Sequence, residues 1–168
     1  MPGTMSWRDR AAPCRRRRIS GSRAPVSPTT PTSSAHVRFG TDLSPRLTEI
    51  AILVTARYWT AQFEWQAHAR LARQAGLGQE VIDAIAERRT PIFSDPDEQL
   101  VEQLVYDFCN TFYRNHGVDD ALFEMVKRRF GERGLVDLTG LIGYYSFVSV
   151  TLNVFQVPVP PSAALLPE

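Results

Sequence analysis

From Val37 onward, apolar residues recur at helical spacing. Leu47, Ile50, Ala51, Val54 and Tyr58 form one stripe, and Ser44-Pro45 ahead of it reads as an N-cap followed by proline at the first helical position. A second helix is predicted from a Thr60 cap to about Ala75, with Gly76 as its stop. Residues 79–88 predict a short amphipathic helix through Val81, Ile82 and Ile85. Ser94-Asp95-Pro96-Asp97-Glu98 is a start signal, with Asp95 as cap, Pro96 first and Glu98 in the reciprocal box position. The helix it opens is expected to bury Leu100, Val101, Leu104, Val105, Phe108 and Phe112, and to end at Asn115-His116-Gly117. Asp119 or Asp120 starts the next, carrying Leu122, Phe123, Val126 and Phe130 up to a break at Gly131.

The last helix, from about Glu132 to Asn153, has a different pattern. Between Leu135 and Phe155 the only charge is Asp137, so a membrane span has to be weighed. Asp137, Thr139, Ser146, Ser149, Thr151 and Asn153 argue against it. The reading is a central helix buried within the domain, and a subunit interface, with Gly140, Gly143 and Ser146 as a close-contact edge. Val157-Pro158-Val159-Pro160-Pro161 then ends regular structure, leaving residues 162–168 as a tail. No segment alternates with period two, so the fold class is all-α.

Charge divides the chain in a way the net value of +1 conceals. Residues 1–38 hold eight arginines and one acid, while residues 39–168 carry a net −6. Residues 1–36, rich in Arg, Pro and Ser, show no helical or strand period and read as a disordered segment. A transit peptide, a patch for anionic surfaces or a leader without function would each fit that composition. The acidic helical part, residues 37–161, is not expected to bind nucleic acid.

Two cysteines, Cys14 and Cys109, form no C-x-x-C pair and no disulfide framework, which points to a reducing, cytoplasmic setting. Three scattered histidines give no metal-ligand spacing, and no cofactor is implied. The chemistry concentrates at Phe63-Glu64-Trp65-Gln66-Ala67-His68. On a helix, Glu64 and His68 share one face a turn apart, and Glu49 lies on the preceding helix. An imidazole with carboxylates to orient it is a proton-transfer arrangement. The competing reading is a structural ion pair, with Tyr58, Trp59 and Trp65 as core or interface residues.

These segments resemble the carboxymuconolactone decarboxylase family, in the superfamily that includes alkylhydroperoxidase D. Leu43-Ser-Pro-Arg-Leu-Thr-Glu49-Ile-Ala-Ile-Leu and Phe63-Glu-Trp-Gln-Ala-His68 carry the resemblance first. Lys127-Arg128-Arg129-Phe130-Gly131, Gly143-Tyr144-Tyr145 and Leu152-Asn-Val-Phe-Gln-Val-Pro158 extend it. It implies an oligomeric alkylhydroperoxidase D-like helical bundle. The peroxidase branch carries an upstream Glu, a C-x-x-C pair and a downstream His. Laid on this chain, these fall on Glu49, on Ala61 and Glu64, and on His68. Both thiols are absent, so disulfide-cycling peroxide reduction is the less favoured implication.

The decarboxylase branch implies loss of carbon dioxide from a carboxylated lactone and protonation of the resulting anion. In that reading His68 supplies the proton, and Glu64 or Glu49 holds the imidazole. Trp65 and Tyr58 wall the pocket. Arg57, with Arg70 as a second candidate, holds the substrate carboxylate. The expected partners are a small-molecule substrate and further copies of the chain, with no membrane. A non-catalytic oligomeric or ligand-binding relative is the principal rival.

Overall fold

The computed structural model describes residues 41–161 and 163–167. The predicted disordered segment, residues 1–36, lies outside them. The described residues form helices without strands: α1 Pro45–Tyr58, α2 Gln62–Gln74, α3 Gln79–Ala86, α4 Gln99–Asn115 and α5 Asp120–Val154. This all-α architecture is the one the periodicity predicts.

The central helix is α1. Every residue from Leu47 to Arg57 is buried, because α2, α3, α4 and α5 all pack against it. Ser44 caps it, its hydroxyl accepting from the Leu47 N–H at 3.4 Å, and Pro45 stands at the first helical position. Ile50, Ile52 and Leu53 are sealed from solvent on different faces of the helix. Full burial explains why α1 carries apolar residues beyond a single stripe.

This corrects the reading of α5 as the central buried helix. One face of α5, with Leu135, Leu138, Leu141, Ile142, Tyr145 and Ser149, is buried against the bundle. The other leaves Val136, Phe147, Val150 and Val154 exposed. By length and composition α5 could cross a membrane, and 33% of its most apolar window is buried inside the chain. The helix is also broken: Gly131, at φ 72°, takes a left-handed conformation that suits glycine. Asp119 caps its start, with Oδ1 accepting from the Leu122 N–H at 2.8 Å.

Three expected boundaries move for physical reasons. Thr60 does not cap α2. At φ 48° it ends α1 in the left-handed conformation, while the Ala61 N–H reaches back to the Ala56 carbonyl at 2.9 Å. Asp95 does organise the next start, since its Oδ1 accepts from the backbone N–H groups of Asp97 and Glu98. The turn it closes precedes the helix, so α4 begins at Gln99 and Leu100 is left exposed rather than buried. The C-terminal residues are also more than a tail. Gln62 exchanges hydrogen bonds with the backbone of Leu166, whose side chain is buried in the core.

Candidate active site

The site is built from α1, α2 and α5. Glu49 lies one turn into α1, and His68 lies in the middle of α2. Packing of these two helices brings His68 Nδ1 to 2.7 Å from Glu49 Oε2, with both residues buried. With Nδ1 engaged by the carboxylate, Nε2 is the ring nitrogen left for other chemistry. The His68 ring meets Tyr145 of α5 edge-on, with centroids 5.0 Å apart. Tyr145 and Glu49 together hold the imidazole in one orientation.

Glu64 does not bond to His68, although the two stand one turn apart on α2. Its Oε2 accepts from the Ser149 hydroxyl of α5. Its Oε1 is buried with no hydrogen-bond partner among the described residues. Burial raises the Glu64 carboxyl to about 7, the Ser149 hydrogen bond offsetting part of the effect. Near neutral pH both protonation states of this group are therefore populated.

A stability prediction follows from the sign of that shift. A carboxyl raised in the folded state contributes stability that is complete below the ordinary carboxylate range and is lost as pH rises through about 7. Glu64→Gln, which keeps an acceptor for Ser149, is expected to be more stable than the parent by about 2 kcal/mol at pH 8. The two should converge near pH 4.5. Urea unfolding at both pH values checks this; an equal difference at each would refute the shift.

Two of the proposed substrate-binding residues, Arg57 and Tyr58, line a different part of the protein. Trp65 is buried within the hydrophobic core. Arg57 is also buried, and its Nε donates to the Ala86 carbonyl at 2.6 Å, Nη1 to Thr60 Oγ1 at 3.2 Å and Nη2 to the Pro167 carbonyl at 2.9 Å. Arg57 and Tyr58 line a cavity whose walls do not include Glu49, Glu64 or His68. Arg57 lies eight positions after Glu49 along α1, enough to carry the guanidinium to the far end of the helix. Arg70 is exposed on α2.

Two contributors were not identified from the sequence as parts of the site, Ser149 and Tyr145. Ser149 is a hydroxyl within an otherwise apolar helix face, a signal that a buried partner waits for it. Tyr145 carried no comparable signal beside Tyr144.

Cys109 is fully buried on α4, and burial pushes its thiol far up, away from the thiolate form. Cys14 lies outside the described residues. Among the described residues, no three His, Cys, Asp or Glu side chains converge as ligands of one metal ion.

The carboxymuconolactone decarboxylase family model matches residues 30–107. Over this stretch the chain is similar to the carboxymuconolactone decarboxylase family. The matched segment contains Glu49, Glu64 and His68, and stops before the Tyr145 and Ser149 that support them. No curated protein and no solved structure matches the chain.

Proposed function

We propose that this protein is a thiol-independent acid–base enzyme of the carboxymuconolactone decarboxylase family, acting on a small carboxylated or lactone-like substrate. The observation that carries this reading is the buried His68–Glu49 contact at 2.7 Å, with a second buried carboxyl, Glu64, that titrates near neutrality. In the decarboxylation, the carbon–carboxylate bond breaks and carbon dioxide leaves. The electron pair stays on carbon, delocalised into the conjugated lactone. The protonated imidazole then donates from Nε2 to that carbon, and solvent restores the proton. Glu49 holds the ring throughout, and Glu64 is a local proton reservoir for it. The unpartnered Glu64 Oε1 supports this assignment, because a buried carboxylate oxygen without a donor is costly unless a ligand or water completes it.

The test is turnover of a carboxylated lactone, followed by carbon dioxide release, in the parent and in Cys109→Ala. Equal rates are expected, since the Cys109 thiol is sealed and protonated. Consumption of peroxide that disappears with Cys109→Ala would instead establish sulfur chemistry. Thermal stabilisation by the lactone without turnover would leave a binding protein.

The same reading has the chain acting as a homo-oligomer. Support comes from α5 and the residue after it, where Phe147, Val154 and Phe155 are 69%, 68% and 75% exposed. Phe147→Glu is expected to shift the particle mass toward the monomer in light scattering. A monomeric parent would end this part of the proposal.

A further inference from the structure

The cavity at the far end of α1 has a chemistry of its own. Its volume is about 360 Å³, at the small end of the range for ligand sites. Arg57, Arg88 and Arg114 line it together with Tyr58, Tyr106 and Tyr113, and no lining residue is acidic. Arg57, Tyr106 and Tyr113 are buried and form the inner part, whereas Arg88 and Arg114 are exposed at its rim.

None of the three guanidinium groups has a carboxylate partner among the described residues. Arg57 donates only to neutral oxygens. The nearby acids are engaged elsewhere, Glu87 with Arg89 and Asp107 with Gln103. Arg57 and Arg88 repel one another strongly enough that the charge of Arg88 adds to burial in lowering the Arg57 pKa. Among the described residues no carboxylate lines the cavity to offset these cations, an arrangement that favours an anion from outside.

The tyrosines define the rest of the ligand. The Tyr113 hydroxyl donates within the protein and is surrounded by Thr55 Oγ1 at 2.9 Å, Ser146 Oγ at 2.9 Å and the Ile142 carbonyl at 3.1 Å. Tyr106 is hydrogen-bonded to the Thr90 side chain. With those polar tips satisfied, the aromatic rings are what these residues offer a ligand. Tyr58 and Tyr113 stack face to face at 4.4 Å between centroids, so each ring covers one face of the other.

We propose that this cavity is a binding site for a small planar organic anion, its carboxylate held by Arg57, Arg88 and Arg114 and its flat body packed among the tyrosine rings that line the cavity. The site is separate from the Glu49–His68 pair and does not rest on the activity assigned to it. Arg88 gives a clean way to test it. It ends α3 at φ 58°, a left-handed position that glycine fills without strain. Arg88→Gly therefore removes the charge while relaxing the backbone.

The experiment is calorimetric titration of the full chain with benzoate, with benzamide as the uncharged isostere and acetate as the anion without a ring. Benzoate is expected to bind at least tenfold more tightly than either. Arg88→Gly and Arg114→Gln are each expected to weaken it tenfold or more, with circular dichroism unchanged. His68→Ala is expected to bind benzoate as the parent does. Benzamide or acetate matching benzoate would overturn the proposal. So would undiminished binding in the Arg88→Gly/Arg114→Gln double variant, or loss of binding in His68→Ala.

Discussion

Replacing His68 with alanine is expected to lower turnover of a carboxylated lactone by at least about 100-fold, the contribution usual for a positioned acid or base. The helical circular dichroism signal should persist, because α2 keeps its core contacts through Trp65, Ala69 and Ala72. The loss should appear in kcat more than in KM, since proton donation matters only once the carbon–carbon bond has begun to break. Glu49→Gln makes a sharper comparison. It keeps the shape of the partner at 2.7 Å but removes the charge beside Nδ1. A smaller loss, about 10- to 100-fold, is expected there by analogy with the carboxylates that orient a metal-bound histidine. Unchanged turnover in His68→Ala would remove the imidazole from the mechanism and leave the Glu49 contact as a structural pair.

The second large effect concerns stability. Glu102 on α4 is completely buried, and the Arg46 guanidinium on α1 is its charged partner through Nε and Oε1. The other oxygen, Oε2, has no hydrogen-bond partner among the described residues. Arg46 also reaches Asp95 at 3.4 Å, so one side chain ties α1 both to α4 and to the turn that precedes it. Removing one member of a buried pair strands the other charge, at a cost of about 3 kcal/mol for a partner that keeps some solvent contact. Arg46→Ala is therefore expected to lose that amount in urea unfolding.

The pH dependence of this variant has a definite sign. Burial raises the Glu102 carboxyl, and Arg46 is the first influence that opposes the rise. Without Arg46 the group is raised further. Its protonated form is then favoured in the fold, so Arg46→Ala should lie closest to the parent in acid and fall away as pH rises through the raised value. Adding Glu102→Gln should recover part of the loss. A double-mutant cycle with no coupling would show that the pair contributes nothing.

Much of the fold could be read from spacing because helices announce themselves locally. The stripe from Leu47 to Tyr58, the Ser44-Pro45 start and the break at Gly131 each depend on residues within a few positions of one another. The errors fall where local signals compete. Thr60 has the side chain of a cap, yet the chain reverses so tightly after α1 that Thr60 is needed as the left-handed residue of the turn. Leu100 follows an Asp95-Pro96 start signal, but the turn organised by Asp95 delays the helix and leaves that side chain outside. The uncharged stretch of α5 looked central, while the helix surrounded on all sides is α1.

The site divides along the same line. The residue types of the chemistry, Glu49, Glu64 and His68, stood out because carboxylates and an imidazole at helical spacing within an apolar pattern are conspicuous. The two structural facts that give them roles came from packing between helices. His68 found its partner on α1, nineteen positions away, rather than on its own helix. Glu64 found Ser149, eighty-five positions away. Arg57, near Glu49 along α1, lies toward the opposite end and lines a cavity that does not include the Glu49–His68 pair.

By itself, then, the amino-acid order determined that this protein is helical and which residues could exchange protons. Helical period and side-chain chemistry are properties of neighbours, so they survive in one dimension. Which carboxylate holds the imidazole, which is buried until it titrates near neutrality, and where the arginines gather were decided only by the tertiary structure. Those outcomes depend on contacts and solvent exclusion between segments far apart in the chain, and no local spacing encodes them.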